Sequence, residues 1–270
     1  RWKITLLFGL VIAAVVIGAW LFWPRTAAPL RASLVAAAPS ADTTGFARAD
    51  GPRNLVFPAD HGPHDDFQTE WWYYTGNLTA ETGEHFGFQL TFFRRALLPP
   101  AERSARESDW GTEQVYMAHF ALTDVAGRDH HSFEKLARGA AGIAGAQAEP
   151  YRVWLEEWSV EGAPGSGGPL ALTASAEDVA LQLTLDNQKP PALQGDHGYS
   201  RKGPESGNAS YYYSLTRMAA EGAVTVRGQT LAVTGLAWMD HEFSTSALGP
   251  EQVGWDWFSI QLDDETELMV

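Results

Sequence analysis

Residues 85–92, HFGFQLTF, alternate: Phe86, Phe88, Leu90 and Phe92 fall on one side, His85, Gly87, Gln89 and Thr91 on the other. Successive side chains of a strand point to opposite faces, so this is the pattern of a strand with one face in a core. The turn Glu81-Thr82-Gly83-Glu84 joins it to the aromatic run from Trp71 to Leu78, which predicts a hairpin. Further strands are expected at 116–123, 151–160, 170–175, 179–185, 211–217, 223–226, 231–238 and 255–262, divided by Gly, Pro and Asp turns. No amphipathic run of helical length competes with them. Many short strands with close turn signals predict an all-β protein, an antiparallel barrel or sandwich. An aromatic-lined barrel would enclose a ligand cavity. At the far end, Asp263-Asp264-Glu265-Thr266 reads as a turn and Glu267 to Val270 as the opening of a strand, so an incomplete final domain is expected.

Thirteen Phe, eleven Trp and eight Tyr suit strands and the walls of pockets for flat or apolar ligands. The net charge of −14 argues against a nucleic-acid binder, which needs a basic footprint over the phosphates. The first 44 residues run against that charge, with Arg1, Lys3, Arg25 and Arg31 against Asp42 alone. Ile4 to Trp23 carries no charge and is long enough to cross a bilayer core of about 30 Å. Arg1 and Lys3 flank its start, and Trp20, Trp23 and Arg25 stand at its end as interfacial anchors would. Residues 1–24 are therefore expected to form an apolar helix, a signal peptide or a membrane anchor, followed by an Ala- and Pro-rich linker at 25–50. This places the protein at the cell envelope, secreted, periplasmic or anchored facing the periplasm. The absence of Cys excludes disulfide staples, thiol catalysis and a Cys-based zinc site.

FPADHGPHDDFQTEWWYYTGNL (57–78), FGFQLTFFRR (86–95), VYMAHFALTD (115–124), AWMDHEFSTS (237–246) and GWDWFSIQLDD (254–264) together resemble the AttH-like proteins. These belong with hydroxyneurosporene synthase, the carotenoid 1,2-hydratase, among lipocalin-like proteins. The resemblance runs from Gly45 to the end. It implies two lipocalin-like (calycin-type) antiparallel β-barrels, one over 51–235 and a second beginning at 236–270 and truncated. It also implies export, and in some members an operon shared with an ABC transporter.

Hydrating an isolated alkene requires a strong acid to protonate one carbon and water to capture the resulting cation. A carboxylic acid kept neutral by burial can supply the proton, aromatic faces can stabilise the cation, and a second group can take the proton of the attacking water. No metal or organic cofactor is required. Asp240 and His241, in the run from Trp238 to Phe243, are the candidate acid and base. On a strand, Asp240 and Glu242 share one face and His241 points the other way. His241 matches the His of the hydratases' motif, and Phe243 stands where that motif has Trp. Asp256, between Trp255 and Trp257, is a third catalytic candidate, with a raised pKa if it faces the cavity. Trp238, Phe243, Trp255, Trp257, His64, Glu70, Trp71 and Trp72 are the candidate substrate-binding residues.

The first block has other readings. His61, His64, Asp65, Asp66 and Glu70 are metal-ligand types, but their spacing matches no closed site. His61 and Glu70 capping strand ends, with Trp71 and Trp72 closing a barrel base, is the structural alternative. The third is a site in which His64 or Glu70 meets Asp240 or His241. Arg94-Arg95 at a strand end suits a solvated rim or a ligand carboxylate. No G-x-S-x-G elbow supports a serine hydrolase. Two functions stay open: a cofactor-free hydratase or lyase acting on an isoprenoid or other apolar chain, and a lipocalin-like carrier or accessory protein of an ABC transporter holding such a molecule.

Overall fold

The computed structural model describes residues 43–104, 108–162, 168–245 and 256–270. The apolar leader and most of the linker lie outside the described residues, as does Trp255. The strands are β1 (Thr69–Ala80), β2 (His85–Ala96), β3 (Gln114–Asp124), β4 (Asp129–Arg138), β5 (Ala144–Gln147), β6 (Tyr151–Leu155), β7 (Trp158–Gly162), β8 (Leu170–Ala176), β9 (Val179–Asn187), β10 (Ala192–Leu193), β11 (Tyr199–Arg201), β12 (Ala209–Val226), β13 (Gln229–Ser244), β14 (Ser259–Gln261) and β15 (Glu267–Met269).

The main sheet is antiparallel and runs β4-β3-β2-β1-β13-β12-β9-β8-β7-β6-β5, with β10 and β11 also on β12. The early strand β1 pairs with the late strand β13 along its whole length, from Thr69 opposite Ser244 to Ala80 opposite Val233. This pairing bends the sheet into a nearly closed barrel. The end strands β4 and β5 follow one another in the chain. Lys135 of β4 reaches across to Glu156, at 2.8 Å, and to Glu157 in the turn between β6 and β7. Strand β12 is long enough to serve two sets of partners, and a bulge between Leu215 and Met218 marks the change. On its far half Gly222, with φ +152°, lets the backbone approach Gln182 so closely that a Cβ would meet the carbonyl oxygen at 2.1 Å.

The alternation in β2 buries Phe86, Phe88, Leu90 and Phe92 as expected. The barrel interior, however, is not the expected ligand hollow. Trp72, Tyr74, Phe92, Phe120, Trp158 and Tyr213 fill it, and Phe120 meets Trp158 across it edge to face at 5.8 Å. Two clefts lie elsewhere, one of about 450 Å³ at β6 to β9 and one of about 20 Å³ beside Tyr116 and Leu136. Large rings interleaved with Leu and Val side chains pack this interior.

Three other expectations change. The run 151–160 is two strands, because Glu156 takes φ +55° in a turn. Strand β4 carries His, Glu and Lys in an exposed and half-buried alternation, so it gives no apolar signal. The expected domain boundary at 235/236 falls inside β13, which continues unbroken to Ser244. Beyond the barrel strands, the hairpin β14–β15 forms a separate two-stranded sheet. It sits on the outside of β12 and β13, where Gln261 Nε2 donates to the carbonyls of Thr216 and Ala237, and Glu267 takes Arg217 at 2.6 Å and Lys189 at 2.7 Å. Among the described residues no helix is long and apolar enough to cross a membrane.

Candidate active site

Strand β13 separates two clusters. Registers fix the inner row: Arg94 of β2 lies opposite Glu70 of β1, Glu70 opposite Phe243, and Trp72 opposite His241, which itself faces Tyr213 of β12. One residue out of phase, the outer row places Tyr73 opposite Asp240 and Asp240 opposite Ser214, with Trp71 and Tyr212 flanking Glu242.

The inner cluster is built around Glu70, which is fully buried. Its Oε1 accepts from His64 Nδ1 and His241 Nε2, each at 2.8 Å; Oε2 accepts from Arg94 Nε and from the His64 backbone N–H, each at 2.9 Å. Burial works against the charge, but the Arg94 guanidinium outweighs it, helped by His241 and His64, and holds the carboxyl well below its usual range. Arg94 NH2 also donates to the carbonyls of His64 and Phe67, so the guanidinium anchors the loop before β1. His64 Nε2 lies 2.8 Å from Asp60 Oδ1, and its ring stacks on Phe243 at 3.5 Å. Burial lowers the affinity of His64 for a proton, yet the hydrogen bonds to Asp60 and Glu70 raise its pKa overall. Asp60, itself lowered by His64 and the Val56 N–H against the effect of burial, also holds Arg53 at 3.0 Å. On the other side, His241 Nδ1 is 3.0 Å from the Tyr213 hydroxyl, which is 2.7 Å from His61 Nδ1.

His64, Glu70 and His241 present ligand atoms within 4.8 Å of one another. They do not fit a metal ion. Both Glu70 oxygens already accept N–H groups, and the buried Arg94 guanidinium occupies one side of the carboxylate, where it would repel a cation.

The outer cluster centres on Asp240. It is 3% exposed, and its Oδ1 accepts from Ser214 Oγ at 2.5 Å and from Trp238 Nε1 at 2.8 Å. No cation pairs with it among the described residues. Burial, with the charge of Glu242 adding to it, pushes its pKa up to about 6 in spite of hydrogen bonds from Ser214, Trp238 and Tyr212. Glu242, on the same face, takes Lys202 Nζ at 2.6 Å. Aromatic rings enclose the patch: Trp257 stands edge to face on Tyr73 at 5.3 Å and on Trp238 at 6.1 Å, and the Tyr212 hydroxyl reaches Met269 Sδ at 3.1 Å. The hairpin segment therefore forms the roof of this site.

A family model for AttH-like proteins matches residues 48–270. The chain belongs to the AttH-like family. The crystal structure of a putative AttH from Nitrosomonas europaea is similar to it at 38% identity with a TM-score of 0.73, covering 83% of this chain and 66% of that one. This AttH-like chain thus spans just under two thirds of that relative. Kievitone hydratase from Nectria haematococca superposes with a TM-score of 0.55 at 12% identity, over 84% of this chain and 71% of its own, a likeness of fold. A sequence comparison with curated proteins finds no match.

Among the sequence-predicted residues of this AttH-like protein, His64, Glu70, Trp72, His241 and Phe243 meet in the inner cluster, with Trp72 stacked on His241 at 4.8 Å. Asp240, Trp238 and Trp257 meet in the outer one, and Trp71 lies on that face against Phe93 at 6.4 Å. Asp240 and His241 are not brought together, since adjacent strand residues point apart. Asp256 is exposed, so it lacks the burial a catalytic acid needs. Arg94 is not at a solvated rim but fully buried. Tyr213, Ser214, Tyr212 and Tyr73 are functional candidates that the sequence pattern does not single out.

Proposed function

We propose that the outer patch is the acid–base site of a cofactor-independent hydratase acting on an isolated alkene of an apolar, isoprenoid-like molecule, in a lipocalin-like protein of the cell envelope. The observation that carries this reading is Asp240, a carboxyl 3% exposed that meets hydroxyl and indole donors but no cation among the described residues, under aromatic rings, where burial pushes its pKa up to about 6. A carboxylic acid held in that state can give its proton to one alkene carbon. The cation left on the other carbon is stabilised by the faces of Tyr73, Trp238, Tyr212 and Trp257. Water adds to it, the surplus proton passes to Glu242, the carboxylate two residues along the same face, and exchange with water returns a proton to Asp240 and frees Glu242 for the next turnover. The net reaction adds one water. His241 lies on the opposite face, so the base role moves from it to Glu242. Hydratase chemistry on this fold in kievitone hydratase supports the reaction class, and the uncharged run at 4–23 supports export. The packed interior takes from the carrier reading the hollow it would use.

The test uses the protein with an acyclic isoprenoid alkene in ¹⁸O-labelled water. Product gaining one labelled water is expected from the wild type. Asp240→Asn should keep ligand binding, read by quenching of Trp fluorescence, and lose at least about 100-fold in turnover. An Asn variant that turns over at the wild-type rate refutes the assignment.

A further inference from the structure

The inner cluster holds a chain of hydrogen bonds whose proton positions are fixed from one end. Glu70 is an ionised carboxylate and can only accept, so His241 Nε2 carries a proton and donates at 2.8 Å. In a neutral His241 ring, Nδ1 is then a bare lone pair, and the Tyr213 hydroxyl must donate to it at 3.0 Å. That uses the only proton of Tyr213. The 2.7 Å bond to His61 must therefore be donated by His61 Nδ1, which leaves His61 Nε2 as an open lone pair. No described residue is a hydrogen-bond partner of that atom. His61 closes the 3₁₀ turn Ala59–His61 ahead of β1, where it retains 5% of its surface.

From this geometry we infer that Glu70, His241, Tyr213 and His61 form a proton relay, entered from water at His61 Nε2 and ending at His241, a second acid–base centre separate from Asp240. The transfer balances without any co-reactant. A proton binds His61 Nε2; the Nδ1 proton of His61 moves to the Tyr213 oxygen; the Tyr213 proton moves to His241 Nδ1. His61 ends as a neutral ring with its other nitrogen protonated, Tyr213 is again a neutral phenol, and His241 becomes an imidazolium against the Glu70 carboxylate. No ring turns over.

The surroundings decide where the charge rests. Facing His61 are Tyr213 of β12, Phe57, and Tyr151 of β6 at 6.4 Å between rings, with Asp60 the nearest carboxylate by charge. None of the aromatic groups is anionic, and burial pushes His61 down to about 4. Facing His241 are Glu70 and Trp72 of β1, Tyr213 of β12, Phe243 of β13 and the ring of His64, with Asp60 beyond. Burial lowers His241 as well, but Glu70 in direct contact works against that. A proton entering at the rim is therefore better held at His241. The phenol of Tyr213, raised far above its ordinary value by burial, passes the proton without itself ionising.

The test is ¹⁵N spectroscopy of His-labelled full-length protein, in which protonated and bare ring nitrogens are resolved. At neutral pH His61 should carry its proton on Nδ1 and His241 on Nε2. On acidification, His241 should become the imidazolium while His61 switches to Nε2–H in the same titration step. Tyr213→Phe should uncouple them, so that the two rings titrate separately. The inference is overturned if wild-type His61 already carries its proton on Nε2, or if His61 becomes the imidazolium while His241 stays neutral. Both readings come from the wild type and do not depend on the variant folding.

Discussion

The two faces of β13 carry the same kinds of groups and treat them oppositely. On the inner face, Glu70 is surrounded by Arg94, His64 and His241, and its charge is fully met. On the outer face, Asp240 has hydroxyl and indole donors but no cation among the described residues, and its charge is left unfavourable. A buried carboxylate with an Arg partner is a structural post; a buried carboxyl without one is an acid in waiting. The contrast predicts opposite responses to pH. Glu70, depressed below 4.5, contributes stability that is present above that pH and lost as pH falls through its folded value. Asp240, raised from 3.8 to about 6, favours the fold below 3.8 and costs stability as pH rises through 6.

The contrast breaks most severely at Arg94. Arg94→Met leaves Glu70 charged and buried without its guanidinium and should cost about 3–5 kcal/mol, read by denaturant unfolding. A loss under about 1 kcal/mol would mean that the inner network is not a post. Next in size is Asp240→Asn, which keeps the shape and removes the titration. Relative to wild type the variant should gain up to about 3 kcal/mol as pH is raised from 4 to beyond 6, because the folded wild type must then ionise a buried acid. Parallel pH profiles for the two proteins would contradict this. Smallest is Asp256→Asn, an exposed change that should stay within about 0.5 kcal/mol and leave turnover untouched; a large loss of turnover would return Asp256 to the site.

Much of this contrast is legible in the sequence, and the rest is hidden for definable reasons. The period of two in β2 marks the strand and its buried face, and the same rule separates Asp240 and Glu242 from His241. Carried two residues further, it puts Arg94 in line with Phe86, Phe88, Leu90 and Phe92, and so in the core; charge alone suggests a rim. The pairing of Glu70 with Arg94 needs the register between strands, which the turn at 81–84 sets but composition does not reveal. Strand β4 is invisible because a half-exposed edge has no apolar stripe. The Tyr211-Tyr212-Tyr213 run is legible as a strand, but which hydroxyl lies between two imidazoles depends on a partner strand nearly thirty residues away. The filled interior is the furthest from view: aromatic content tells how much ring must be buried, not whether the rings leave a hollow.

The proposed chemistry turns on Asp240 holding its proton where other aspartates have lost theirs. Following the Asp240 carboxyl carbon by ¹³C resonance across pH 3 to 8, with Asp240→Asn to assign it, measures this directly. A midpoint near 6 is predicted. A midpoint at or below 3.8 would show an ordinary carboxylate on the outer face and remove the acid from the proposed chemistry.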